Sequence, residues 1–163
     1  MLSYKLLFFL PLISTIFTYP FGVLLGEKTA QYFSSTLISI TAILSWFLFI
    51  SFSSSSSSEI IIPVLEWFFV SGQFFNWGIS VNSLTLLMLT LVLTVSALVH
   101  IYSIEYMSHD NSKVRFMTYL SLFTFCMVAL VVSDNLIQLF FGWEGVGLAS
   151  YSVSYTHLRA HET

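Results

Sequence analysis

Charge is the first thing this chain lacks. Only 8% of its 163 residues are charged, against 56% hydrophobic and 18% aromatic. A soluble domain carries about 25% charged residues, so a water-exposed globular surface is excluded and an integral membrane protein is indicated. The few lysines and arginines form no basic patch, which excludes nucleic acid as a partner. The net charge of −3 is too small to select a partner by sign. The single cysteine, Cys126, lies in an apolar stretch, so there is no disulfide framework. No nucleotide-binding loop, His/Cys metal cluster or catalytic-triad spacing is present. The sequence therefore offers no recognisable cofactor site and no metal site.

What the chain has is apolar length. A helix needs about 20 apolar residues to cross a bilayer core, and five stretches offer this. The fold class expected is an all-α membrane protein of about five transmembrane helices. The first covers residues 6–25. Lys5 ahead of it resembles the start of a signal peptide, but no small-residue cleavage site closes the run, and more apolar segments follow. Pro11 and Pro20 are expected to kink it, which membrane helices tolerate. A turn at residues 26–29 follows, with Thr29 able to cap a second helix over 30–52. The serine run at 53–58 reads as a solvated linker without chemistry.

Residues 59–79 are too interrupted to span, because Pro63, Glu66 and Gly72 break the apolar pieces. They read as an interfacial hairpin turning at 70–74, with Trp67, Phe68, Phe74, Phe75 and Trp77 at headgroup level. The third helix starts near Asn82 and runs to about Tyr102. His100 then arrives roughly 27 Å along it, at the far membrane face. There it reads either as part of an interfacial polar–aromatic anchor or as a station on a proton route, since histidine titrates near neutral pH. Asp110 or Ser112 can cap the fourth helix, over 113–132. Lys113 and Arg115 in its first turn oppose the helix dipole, so topology explains them better than helix stability does. Alternating sides place Lys28, Lys113 and Arg115 together and leave Lys5 alone opposite, with Arg159 left out of the count because it lies in the tail. The positive-inside rule then puts the amino terminus and the hairpin outside.

The fifth helix carries Gly142-Trp143-Glu144-Gly145-Val146-Gly147 inside the apolar run 136–153. Asn135 reads as its first residue, after Ser133 and Asp134 as caps. Glu144 then lies roughly 13 Å along, near the middle of a ~30 Å core. A lone carboxylate there costs about 2.5–3.5 kcal/mol on insertion scales. A proton or ion path, or a buried partner charge, explains its presence. A structural ion pair or a neutral buried acid explains it without function. Gly142, Gly145 and Gly147 leave room for a close helix or for water.

His100-Ile101-Tyr102-Ser103-Ile104-Glu105-Tyr106-Met107, then Arg115-Phe116-Met117-Thr118-Tyr119, then Gly142-Trp143-Glu144-Gly145-Val146-Gly147 closely resemble NADH–ubiquinone oxidoreductase chain 5. That family is the distal antiporter-like subunit of respiratory complex I. The resemblance is dense from about Asn76 to Tyr151 and weaker before it. It implies a proton-translocating membrane-arm subunit with no redox cofactor of its own, partnered by other membrane-arm subunits and the lipid bilayer. It implies a mitochondrial inner-membrane or bacterial plasma-membrane location. The family's fifth-helix glutamate falls on Glu144, which it pairs with a lysine on a seventh helix, so this chain reads as an amino-terminal piece. Asn82 stands where the family usually has aspartate. Residues 153–163 form a polar tail unlike the family and read as foreign to it, so residues 1–152 carry the resemblance. His157 and His161 receive no role. Two other expectations stand beside this one: the large subunit of a multi-subunit sodium/proton antiporter, and a piece contributing only helix packing.

Overall fold

The computed structural model describes residues 2–53, 59–70, 73–108 and 112–160. They form α1 (Leu2–Leu25), α2 (Glu27–Ser53), β1 (Ile60–Val70), β2 (Gln73–Val81), α3 (Ser83–Tyr106), α4 (Lys113–Val131) and α5 (Leu136–Ala160). Of these, α1 to α4 are long and apolar enough to cross a membrane. The fifth helix is of similar length, but its glycines, serines and Glu144 dilute its apolar character.

Helix α1 is continuous through Pro11 and Pro20. The Thr15 hydroxyl donates to the Pro11 carbonyl at 2.9 Å and the Thr18 hydroxyl donates to the Ser14 carbonyl. The turn into α2 is a single residue, Gly26, at φ +99°, a backbone that glycine adopts without a Cβ penalty. Thr29 is therefore inside α2 rather than at its cap. Its hydroxyl donates back to the Leu25 carbonyl at 3.2 Å. Asn82 caps α3, accepting from the Thr85 amide at 2.8 Å. Ser112 occupies the N-cap of α4 without a side-chain cap bond, and Asp110 lies outside the described residues. Asn135, expected as the first helical residue of α5, instead caps it, accepting from the Gln138 amide at 2.8 Å.

Helices α1, α2, α3 and α4 close a bundle in which α1 packs on α2 and α4, and α3 packs on α2 and α4; α5 lies outside it against α4. Burial is inverted relative to a water-soluble protein. Ser14, Thr18, Gln31, Ser34, His100, Ser121 and Thr124 are all buried, whereas Leu24, Ile43, Leu98 and Leu136 are exposed. Lipid tails solvate leucine well and hydroxyls badly, so polar side chains are driven inward.

The hairpin is a true antiparallel pair, with Ile62 opposite Ile79 and irregular register around Val64 and Trp67. Its turn at 71–72, and the side chains of Trp67, Phe68, Phe74 and Phe75, lie outside the description. Trp77 is half-buried, with its ring 6.5 Å from Phe8 and 5.0 Å from Phe141. The Ser80 amide donates to the Val132 carbonyl at 2.9 Å, which ties β2 to the α4–α5 turn. The fully buried Gln138 does more. It accepts from the Gly78 amide at 3.2 Å and donates to the Gly78 carbonyl at 2.9 Å, as a neighbouring strand would. An added Cβ at Gly78 would meet the Asp134 carboxylate at 2.3 Å, so a larger residue there would have to displace that exposed side chain.

At the opposite end, Lys113 Nζ lies 3.3 Å from Glu27 Oε2, across the tops of α4 and α2. The basic residues expected on one side are thus gathered at one end of the bundle, with the hairpin at the other.

Candidate functional site

The residues singled out from sequence occupy two separate places. Glu144 sits on the outer surface of α5. Gly142 faces α4 so closely that an added Cβ would meet the Leu130 backbone at 2.8 Å, and one at Gly145 would meet Cys126 Sγ at 2.6 Å. Those two glycines fasten α5 to α4. Gly147 has nothing within 4 Å of its added Cβ. It shares an open face with Phe140, Glu144, Leu148 and Tyr151, all exposed. Among the described residues Glu144 has no hydrogen-bond or ion-pair partner. The glycines thus divide between two tasks, close helix contact for 142 and 145 and open space for 147.

His100 is elsewhere, on the inward face of α3. Helix α3 continues to Tyr106, and His100 is completely buried among the helices. The exposed Tyr102 and Tyr106, stacked at 5.8 Å, sit nearer the helix end and suit an anchoring role better. His100 Nδ1 lies 2.8 Å from the Ser96 carbonyl, and Nε2 lies 3.3 Å from Ser121 Oγ. Ser121 Oγ is 2.8 Å from Ser34 Oγ and 3.0 Å from Ser14 Oγ. Ser96 Oγ is 2.5 Å from Thr124 Oγ1. One imidazole and five hydroxyls from all four bundle helices form a connected network, and a buried network must be satisfied to be stable. Sequence reasoning named only His100. The serines gave no signal, because which of many serines face inward is decided by helix crossing.

The structure does not bring Glu144 and His100 together. Ser121 touches His100, whereas Leu130 touches α5; nine residues apart, they lie about 180° round α4.

Together these features define a multi-pass helical membrane protein with an interior polar network and a mid-helix carboxyl on an outward face. Residues 67–117 match the family model of the N-terminus of NADH-ubiquinone oxidoreductase (complex I) chain 5. The chain is 40% identical over 163 residues to the NADH-ubiquinone oxidoreductase chain 5 of Chondrus crispus, covering 98% of this chain and 24% of that protein. It is 44% identical over 162 residues to the chain 5 of Arabidopsis thaliana, covering 96% and 24%. It is 46% identical over 135 residues to NADH-quinone oxidoreductase subunit L of Rhodobacter capsulatus, covering 78% and 18%. The chain is thus a relative of the chain 5 and subunit L proteins, and it spans about a quarter of the length of the chain 5 relatives it matches. The family model ends before Glu144, whereas the similarity to the two chain 5 proteins runs along nearly the whole chain.

Proposed function

We propose that this chain supplies the amino-terminal helices of a proton-translocating membrane-arm subunit of NADH:ubiquinone oxidoreductase, with Glu144 as a proton relay. The observation that carries this is the placement of Glu144 on an open helix face, away from the bundle and beside a glycine with free space. A carboxyl in apolar surroundings is drawn toward its neutral form, and an adjacent ammonium draws it toward its ionised form. A group under both influences changes protonation when its partner moves, which is what a pump needs. Relationship to chain 5 and subunit L proteins supports the same reading. On this reading the chain holds no redox cofactor, and its partners are other membrane-arm subunits and the bilayer. The location proposed is the mitochondrial inner membrane, with the bacterial plasma membrane as the alternative.

Glu144→Gln in the full subunit, within its assembled complex, tests this. It keeps shape and hydrogen bonding and removes the titration. Proton pumping and coupled quinone reductase activity should fall while native gels show intact assembly. Normal pumping would remove Glu144 from the mechanism. A subunit of a sodium/proton antiporter is the second reading. It is favoured if the subunit copurifies without NADH-oxidising partners.

A further inference from the structure

The buried network around His100 has a direction. A backbone carbonyl can only accept, so the 2.8 Å contact to the Ser96 carbonyl fixes the hydrogen of a neutral ring on Nδ1. Nε2 must then accept, and Ser121 must donate to it at 3.3 Å. With its one hydrogen committed, Ser121 accepts from Ser34 at 2.8 Å, and Ser14 donates to Ser34 at 3.3 Å. The hydroxyl hydrogens of Ser14, Ser34 and Ser121 thus run in one direction, toward Nε2. On the other side Nδ1 meets the Ser96 carbonyl at 2.8 Å and the Ser96 hydroxyl at 3.4 Å. That hydroxyl lies 2.5 Å from Thr124 Oγ1, and Thr124 donates to the Leu120 carbonyl at 3.0 Å.

The same helices lead from this network toward the end of the bundle that carries Lys113. On α1 the buried face runs Ser14, Thr18, Gly22; on α2 it runs Ser34, Gln31. Gln31 is 3% exposed, and among the described residues its Nε2 has no hydrogen-bond partner. A buried amide donor left unpaired is costly, and an internal water is the usual remedy. One turn beyond lies a cavity of about 320 Å³ lined by Gly22, Glu27, Ser112 and Arg115 among others. Val114 also lines it, packed so closely on Gly22 that an added Cβ there would meet Val114 Cγ1 at 2.4 Å.

We propose that His100 is a proton-loading site inside the amino-terminal bundle, reached from the Lys113 end through water at Gln31 and the hydroxyls of Ser34 and Ser121. A proton arriving at Ser34 moves one hydrogen on to Ser121, and Ser121 passes its own to Nε2. The product is an imidazolium with both nitrogens donating, one to Ser121 and one to the Ser96 carbonyl. The site is independent of Glu144, which lies beyond the far side of α4. This inference rests on the proton-translocating reading above.

The test uses the full subunit in its assembled complex, reconstituted in proteoliposomes, with protons translocated per NADH oxidised as the readout. Ser121→Ala removes the link and His100→Gln removes the site. Each should lower the proton yield per NADH with assembly intact. Ser121→Thr keeps the hydroxyl and should restore the yield. If one variant fails to assemble, a lowered yield in the other supports the proposal. A normal yield in either assembled variant overturns it. So does loss of assembly in both, or a Ser121→Thr yield as low as that of Ser121→Ala, because the cluster is then a packing device. If the unaltered complex moves no protons, the parent reading fails instead, which the variants alone cannot imitate.

Discussion

The close approach of α5 to α4 at Gly145 leads to a covalent prediction. An ideal Cβ at Gly145 stands 3.2 Å from Cys126 Cβ and 2.6 Å from its sulfur. Disulfides bridge Cβ atoms about 3.5–4.5 Å apart. Gly145→Cys therefore needs the two helices to part by only a few tenths of an ångström, and it needs no change in their direction. Cys126 is the chain's sole cysteine, so any bridge formed in this chain is unambiguous. The ring closed between positions 126 and 145 resembles the roughly 15-residue loop for which cross-linking is worth about 3 kcal/mol. The short starting distance offsets part of that. The assay is thiol alkylation with a mass tag after mild oxidation of the protein in micelles or membranes, with and without prior reduction. Gly145→Cys should be protected until reduced. Gly147→Cys should remain fully alkylated, since nothing lies within 4 Å of that position. If Gly147→Cys cross-links to Cys126, or Gly145→Cys stays free, α5 presents a different face to α4, and the outward placement of Glu144 falls with it.

The same packing predicts that Gly142→Ala destabilises the α4–α5 pair by about 1–3 kcal/mol through overpacking against the Leu130 backbone, while Gly147→Ala has no such effect; thermal unfolding in detergent compares the two. Gln138→Leu leaves the Gly78 amide and carbonyl without their side-chain partners, at about 1–3 kcal/mol for each buried group. Faster amide exchange in β2 should report it. Cysteines placed at Asn76 and Asn111 should react with impermeant reagents from opposite faces of the membrane, and labelling of both from one face refutes the topology.

The helices were legible because each apolar run is long enough to span and is punctuated by a residue that ends or caps it. Asn82 and Gly26 are such residues. Interruption by Pro63, Glu66 and Gly72 likewise marked the hairpin. Its docking was not legible. Gln138 in an apolar run looks like a tolerated polar residue, and only the fold puts Gly78, sixty positions earlier, against its amide. The facing of His100 was not legible for a related reason. Counting rise along α3 gives depth but not facing. The serine partners of His100 come from α1, α2 and α4, up to 107 positions apart from one another in sequence. No local pattern can announce such a meeting.

Glu144 was visible because a charge in an apolar helix stands out wherever it points. Its direction needed the glycines. Gly142 and Gly145 share one side of α5, and Glu144 lies about 130° round from their midpoint. Turning Glu144 into the bundle would swing both glycines out and bring larger side chains against the Leu130 backbone, where even one methyl group does not fit. The carboxyl is thus held outward by the packing that secures its helix. Left against lipid it would carry the full penalty of about 2.5–3.5 kcal/mol, and nothing on α1 to α4 is placed to relieve it. Whatever neutralises or hydrates Glu144 has to approach from the face of α5 opposite α4, and a relay held rigidly on one side and open on the other suits a partner that moves.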